Sequence, residues 1–454
     1  MLAVIYIYVC SVENSVCFEH AAEPLLKVYV RGVRVFGDTT ESSPPIIVMR
    51  AQREFAVSFN SFRSFTRDAE QQESAVVGSR YVTIEVDVQA STQPMFVVTL
   101  VHCDAFWNED NNPALSDQIL RVTQIQVTQA HSFSLHYTHR ARCTVPNSEV
   151  QLHFSGNWKA KVFDAHDMDV PICEARFFVV EQQAITSLSV IPDAYSPRVG
   201  GTSPAAYLIE AMISAPPQLF DENIHTVTVY RAWRWNEPIT ITQRLEKSKI
   251  DILYNQRSSG ATVLGFSSGQ KRFRVGAVPA ENEYRVLDIR DALRFPASTT
   301  PLRFGLSDVR RNGVAFVHAD DGAFSSEGVS MAHDEYVPVE FVLASEGVPS
   351  SRDIYVVGSF NNWTVTPSWR MSYDSVFQQY KLVQWIRRGR HNYMYASGIT
   401  TNSGVVKSYD YEECEGNSLS AHHTFYALFY YRSPQFGGYD AIIGVAQYSR
   451  KPKR

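Results

Sequence analysis

Alternation of apolar and polar residues with a period of two is the strongest constraint that this sequence places on its fold. Tyr81–Val88 reads YVTIEVDV, with valine and isoleucine on one face and polar residues on the other. The same alternation recurs in Trp158–Val162, Val337–Leu343 and Phe425–Tyr431, and we find no helical stretch of convincing length. The pattern predicts antiparallel strands with one face buried and one face in water.

The length of the chain and its turn-forming segments predict several domains. A chain of 454 residues is too long for one small core. Segments rich in Pro, Gly and Ser occur at Ile191–Pro204 and Ser345–Arg352. Many short strands separated by such turns favour an all-β fold of about three tandem immunoglobulin-like antiparallel β-sandwiches. We place them at residues 25–184, 185–330 and 335–450, after a weak or truncated export signal at 1–24.

Charge and hydropathy exclude two classes of partner. The net charge of −5 is spread without a basic block, which argues against binding to a nucleic-acid backbone. No apolar run approaches the roughly 20 residues needed to span a bilayer.

Leu2–Val12 has the length of a secretory apolar region, but no Lys or Arg precedes Lys27, so an export signal and a first strand both remain open. The six cysteines show no C-x-x-C spacing and leave disulfide formation undecided.

One segment matches the G-x-S-x-G pattern of a serine hydrolase. In GFSSG, Gly265–Gly269, the nucleophile is Ser267. A nucleophile elbow requires a buried strand before the serine and a helix after it. The following residues Lys271–Val275 alternate like a strand, so we interpret the match as a glycine- and serine-rich turn and predict no catalytic residue.

Clusters of acidic residues and histidines do not form a convincing metal or acid–base site. The DAHDMD segment lacks the glycine and the distal glutamate of a calcium loop. Neighbouring histidines on a strand point to opposite faces, and a run of glutamates is expected to be a solvated loop. We therefore predict a protein that is not an enzyme and has no metal or cofactor. The candidates considered are Asp164, His166, Asp167, Asp169, His102, His131, His136, His139, His422, His423, Glu412, Glu413 and Glu415.

Residues 354–395 resemble the glycogen- and starch-binding modules of branching enzymes and kinase β-subunits. The resemblance rests on IYVVGSFNN followed by Trp363, and on GRHNYMY at Gly389–Tyr395. It implies an exposed tryptophan that stacks on sugar rings, with Trp363, Tyr393 and Tyr395 as candidate carbohydrate-binding residues. Met394 stands where those modules have a lysine, and Ala396–Gly404 lacks their second tryptophan.

A second resemblance extends over roughly residues 25–450. Its motifs occur in a fixed order, and together the sequence resembles the plug protein family of the type IX secretion system. The motifs are HCDAFW at His102–Trp107, HYTH at His136–His139, GNW at Gly156–Trp158, RFFVVE at Arg176–Glu181, WRWN at Trp233–Asn236, NEYR at Asn282–Arg285, LDIR at Leu287–Arg290 and YYR at Tyr430–Arg432, with YD at Tyr439–Asp440 and IGV at Ile443–Val445.

The resemblance to the plug family implies a function without catalysis. Family members are periplasmic proteins built from tandem immunoglobulin-like sandwiches at the inner face of the outer membrane. They close the periplasmic opening of a large outer-membrane β-barrel translocon while no substrate passes. The resemblance leaves open which surface contacts the barrel. The alternative is a periplasmic carbohydrate-binding β-sandwich protein that uses the Trp363 region.

Overall fold

The computed structural model describes residues 28–49, 78–116, 120–193, 205–244, 261–267, 269–315, 320–345 and 349–449. Within these residues the chain forms strands joined by turns and two four-residue helices, α1 (Pro113–Ser116) and α2 (Glu412–Glu415). Short 3-10 turns occur at Asp221–Asn223, Met331–His333, Ser359–Asn361, Pro367–Trp369 and Gln435–Gly437. The predicted all-β fold of antiparallel sandwiches is confirmed. The predicted export signal at 1–24 lies outside the described residues.

The first sandwich comprises nine strands in two sheets. One sheet has the order β1-β3-β7-β6 and the other β2-β9-β8-β4-β5. Its core is formed by the inward residues of the two sheets, including Val86, Leu100 and Trp158. The strands are β1 (Tyr29–Gly37), β2 (Ile46–Met49), β3 (Val82–Gln89), β4 (Phe96–Cys103), β5 (Arg121–Val122), β6 (Gln126–Gln129), β7 (His139–Val145), β8 (Gly156–Asp164) and β9 (Cys173–Glu181).

The second sandwich consists of six consecutive strands and a hairpin from the C-terminal part of the chain. One sheet has the order β10-β11-β15-β14, and Ile209, Val275 and Phe429 lie in the core between it and the opposite sheet. The six strands are β10 (Ile185–Pro192), β11 (Ala206–Ser214), β12 (Ile224–Arg231), β13 (Ile239–Thr242), β14 (Thr262–Ser267) and β15 (Gln270–Pro279).

The third sandwich has the sheet orders β16-β21-β18, with β22 on β21, and β17-β20-β19. Val339, Phe341 and Val356 lie in its core. The strands are β16 (Arg285–Asp288), β17 (Tyr336–Ala344), β18 (Asp353–Gly358), β19 (Ser372–Asp374), β20 (Gln379–Arg387), β21 (Arg390–Thr400) and β22 (Val406–Asp410), followed by the C-terminal hairpin β23 (Thr424–Ser433) and β24 (Tyr439–Ser449).

Strand pairing differs from the predicted division of the chain in two places. Strands β23 and β24 lie within the range assigned to the third sandwich, yet they complete the second in the order β13-β12-β23-β24. Conversely, β16 lies within the range assigned to the second sandwich but pairs with β21 of the third. Alternation identifies a strand but carries no information about which distant edge it joins. The boundaries of independently folding domains remain a prediction.

Candidate functional site

The tryptophan predicted to be an exposed sugar platform is buried. Trp363 is 1% exposed, and its indole Nε1 donates a hydrogen bond to the Gly322 carbonyl at 3.0 Å. Its ring lies 4.6 Å from that of Tyr284. The expectation of an exposed ring is therefore wrong, because the segment that enters the third sandwich covers the face that a pyranose would need.

Tyr393 and Tyr395 are also buried, and their hydroxyl groups are occupied. Both donate to the Asp308 carboxylate, at 2.8 Å and 2.7 Å. Arg285 lies over the Tyr395 ring at 5.0 Å and donates to Glu415 at 2.9 Å. The resemblance correctly predicts a strand, a short turn and a second strand, but these two rings serve the core of the module.

The serine motif lies in a hairpin. Strands β14 and β15 pair antiparallel on either side of the turn that contains Gly269. A nucleophile elbow needs a helix after the serine, so the structural context contradicts a hydrolase site here. Ser268 and the Ser267 side chain lie outside the described part of the chain.

The four histidines considered for zinc have separate environments. The His102 ring nitrogens lie 2.6 Å from an Asp110 carboxylate oxygen and 3.0 Å from the Ser155 carbonyl oxygen. The remaining three do not share those contacts: His131 stacks on Phe133, His136 stacks on Trp385, and His139 contacts Thr138. Among the described residues, no group of three or more His, Cys, Asp or Glu side chains is placed to hold a metal ion.

The acidic segments divide into one loop and one packed turn. The Asp164 and Asp167 carboxylates accept hydrogen bonds from the backbone N–H groups of His166 and Asp169 and so close an exposed turn. Glu415 is fully buried and ion-paired with Arg285, so the expectation of a solvated acidic loop is wrong for this residue. His423 is also buried, against Tyr284. Cys103, Cys143, Cys173 and Cys414 are free thiols.

The first and second sandwiches are joined by a buried aromatic layer. Phe178 on β9 lies 5.4 Å from Tyr230 on β12 and 5.5 Å from Trp235, measured between ring centroids. Trp107 adds a hydrogen bond from its Nε1 to the Tyr230 hydroxyl at 3.3 Å. Because these rings are buried from both sides, the two sandwiches share a continuous apolar core.

The first and third sandwiches are joined by buried charges. Glu85 and Asp87 project from the outer face of β3, which was predicted to face water, and Glu85 is only 1% exposed. Arg387 of β20 donates to Glu85 at 2.7 Å, and the Tyr336 hydroxyl donates to Asp87 at 2.8 Å. Arg140 pairs with Asp87 from the neighbouring strand β7. The third sandwich covers this polar face, so the expectation of a wet face is wrong for β3.

The second and third sandwiches are joined by another buried ionic cluster. The Arg234 guanidinium donates to Glu237 at 2.6 Å and also pairs with Glu281. Tyr411 of the third sandwich donates to Glu237 at 2.7 Å, and the Arg234 guanidinium lies 4.5 Å from the centre of the Tyr411 ring. Every pair of sandwiches is thus joined by buried, specific contacts.

A cleft of about 290 Å³ opens where the three sandwiches meet, and we call it the junction cleft. Strands β1 and β9 of the first sandwich form one wall. Trp233 and Trp235 come from the second sandwich, and Asn362 comes from the turn before Trp363 in the third. Asn362 donates to the Val33 carbonyl of the edge strand β1 at 2.9 Å, which fixes this part of the cleft.

Two arginines that line the junction cleft, Arg34 and Arg176, have different kinds of partner. Arg34 pairs with Glu41 at 2.8 Å. The Arg176 guanidinium lies 4.8 Å from the centre of the Trp107 ring and donates to the Asn236 side-chain oxygen at 3.2 Å. The sequence alone does not predict that these residues form a site. RFFVVE and WRWN were recognised as motifs, but nothing local shows that they line one cavity.

The buried histidine beside this junction predicts how stability depends on pH. Burial, and then the positive charge of Arg34, lower the pKa of His391 to about 3. Its Nε2 lies 2.8 Å from the Arg387 carbonyl and donates to it, so Nδ1 accepts from the Ser359 hydroxyl. The folded pKa lies below the unfolded value. The stabilisation by this neutral histidine is therefore present above about pH 6.5 and is lost as pH falls.

We expect His391→Gln to make stability less sensitive to acid. Between pH 7 and pH 5, the free energy of unfolding of the wild type should fall by about 2 kcal/mol more than that of the variant. The expected slope is about 1.4 kcal/mol per pH unit below pH 6.5. Urea denaturation at both pH values measures this. His131→Gln, at an exposed histidine, is the control for the substitution itself. A constant difference for His391→Gln would contradict the assignment of a buried neutral ring.

Comparison with known proteins identifies a family for the first sandwich. Residues 63–181 match the family model described as type 9 secretion system plug protein 1st domain, which confirms the family resemblance predicted from the sequence. The match indicates a role in type IX secretion and an envelope-associated protein. No curated protein matches the chain. In the described part of the structure, we find no helix with the length and apolarity required to cross a membrane.

The fold is shared with a solved structure. The chain is similar to the crystal structure of a hypothetical protein from Parabacteroides merdae, with a TM-score of 0.67 and 20% sequence identity. The similarity covers 93% of this chain and 97% of the other. It therefore shows that the two chains share a fold over most of their length.

Proposed function

We propose that this protein is a non-enzymatic plug that seals the periplasmic opening of the outer-membrane translocon barrel of the type IX secretion system. The observation that carries the proposal is the match of residues 63–181 to the plug protein 1st domain. The protein would act in the periplasm, at the inner face of the outer membrane, by contact with the barrel protein. It needs no cofactor for this role.

The way in which the three sandwiches are joined supports this proposal. A plug must keep its shape against the pore, so relative motion of its parts would open a leak. Domains connected only by linkers move relative to one another unless their interface is extensive. Here a buried aromatic layer joins the first and second sandwiches, and a buried ion pair joins the first and third. Tyr411 of the third sandwich contacts the buried Arg234 and Glu237 of the second. Buried contacts of this kind hold the three sandwiches together, as occupying an opening would require.

Carbohydrate binding is not proposed for the Trp363 region. Stacking on a sugar needs an accessible aromatic face, and the rings of Trp363, Tyr393 and Tyr395 are enclosed. Their polar atoms are bonded to Gly322 and Asp308. These contacts assign the three residues to packing within the third sandwich and at its junction with the rest of the protein.

Co-purification tests the proposed function. We expect the affinity-tagged full-length protein, isolated from detergent-solubilised envelopes of its native cells, to carry a large outer-membrane β-barrel protein, identified by mass spectrometry. Binding should be reversible, because a gate must be displaced when substrate passes, and such interfaces are typically polar and of moderate size. An equally tagged periplasmic protein of similar size is the control. Repeated recovery without any barrel partner would refute the proposal.

A further inference from the structure

We propose that the junction cleft is a docking site for a polypeptide segment that presents an aromatic side chain next to a carboxylate. This inference rests on the proposed function in one respect, which is that the partner is a protein of the translocon. The cleft itself is defined by residues of all three sandwiches. It therefore exists only when the three are assembled as described above.

The apolar part of the cleft is suited to one large side chain. Trp233 is half-buried and faces the cleft with its backbone in the left-handed region, at φ 66°. Trp235 and Phe324 line the cavity beside it. A volume of about 290 Å³ is near the lower end for small-ligand pockets, roughly 300 Å³. Aromatic anchors that fill such pockets supply much of the affinity of protein interfaces.

The positive charge of Arg176 in the cleft favours a docked segment that has an acidic residue next to its aromatic side chain. Within the described part of the chain, no carboxylate lies within ion-pair distance of the Arg176 guanidinium, whereas Arg34 is already paired with Glu41 and Glu85. A half-buried guanidinium whose contacts are a ring and a neutral amide retains donors for a carboxylate. Glu174 is exposed at the same cleft and opposes a ligand of high negative charge, so a single carboxylate fits best.

The polar wall of the cleft is preorganised. The Asn236 side-chain amide donates to the Thr364 hydroxyl at 2.9 Å and to the Asn362 carbonyl at 3.3 Å, so its oxygen is directed to Arg176. Arg176 is further held over Trp107. A site whose groups are already ordered loses little conformational entropy when it binds a ligand. A short segment with two anchoring points therefore suffices for binding.

Peptide titration tests the docking site. The probe is the blocked peptide acetyl-Gly-Asp-Phe-Gly-amide, with acetyl-Gly-Asn-Ala-Gly-amide as control, titrated into the full-length protein by calorimetry or tryptophan fluorescence. We expect the Asp-Phe peptide to bind at least tenfold more tightly than the control. Arg176→Gln should weaken it at least tenfold, and Arg176→Lys should weaken it less. Glu174→Gln, the matched neutralisation at the same cleft, should leave binding unchanged or tighten it.

Several outcomes would overturn the docking site. These are equal binding of the two peptides, no measurable binding by a folded wild-type protein, or equal loss in Arg176→Gln and Glu174→Gln. Binding of maltoheptaose that excludes the peptide would assign the cleft to a sugar instead. Undiminished barrel co-purification with Arg176→Gln would refute the cleft as the translocon contact while leaving the plug function intact. Peptide binding without any barrel partner would refute the plug function alone.

Discussion

Replacing Trp363 with alanine should lower the free energy of unfolding by about 3–5 kcal/mol, the usual cost of truncating a buried aromatic residue. The ring is enclosed beside Tyr284, and the variant loses the hydrogen bond to the Gly322 carbonyl. The backbone of Trp363 is in the left-handed region, φ 55°, a further reason why packing is required to hold this turn. Urea denaturation followed by tyrosine fluorescence measures the effect.

The control for this prediction is an aromatic residue that is exposed. Phe377, in the turn between β19 and β20, is 69% exposed, and Phe377→Ala should change stability by about 0.5 kcal/mol or less. Electrophoresis in glycogen gels is the second readout. Two results together would contradict the burial of Trp363 and support sugar binding by its ring. The first is that Trp363→Ala is as stable as the wild type, and the second is that glycogen retards the wild type in the gel but not the variant.

Replacing Arg234 with methionine should destabilise the protein by about 3–5 kcal/mol, because it leaves the buried Glu237 carboxylate without its counter-charge, whereas Glu281 keeps Arg231. Arg234 lies between Glu237 and Glu281, all three are buried, and Tyr411 completes the cluster. The cluster connects the second and third sandwiches. We therefore expect the variant also to become more sensitive to proteolysis between these two sandwiches, measured by limited trypsin digestion.

The partly exposed pair Arg274–Glu210, 3.6 Å apart on the neighbouring strands β15 and β11, is the control. Arg274→Met should cost about 0–1 kcal/mol, since exposed ion pairs contribute little. Equal effects of Arg234→Met and Arg274→Met would show that the buried cluster does not hold the sandwiches together. Retention of full stability by Arg234→Met would in addition weaken the argument for a rigid plug.

Local sequence patterns predicted which segments are strands because alternation is a property of neighbouring residues. The structure places Val82–Val88 of the first such segment in strand β3, Val337–Leu343 in β17 and Phe425–Tyr431 in β23. The IYVVGSFNN pattern likewise predicted a strand and turn, found at β18 and Ser359–Asn361. The family resemblance came from motifs whose order along the chain is visible without coordinates, and the match over residues 63–181 confirms it.

The contacts across the sandwiches required the tertiary structure. The chain itself determined an all-β fold and a resemblance to the plug family, which the match over residues 63–181 supports, because periodicity and motif order are encoded locally. Only the folded molecule decided that β23 joins β12, that Glu85 and Asp87 face Arg387, and that Arg176 opens into a shared cleft. The physical reason is that the same alternating sequence is compatible with two environments for its polar face. That face can contact water, or it can contact opposite charges on another sandwich. What covers it depends on residues hundreds of positions away.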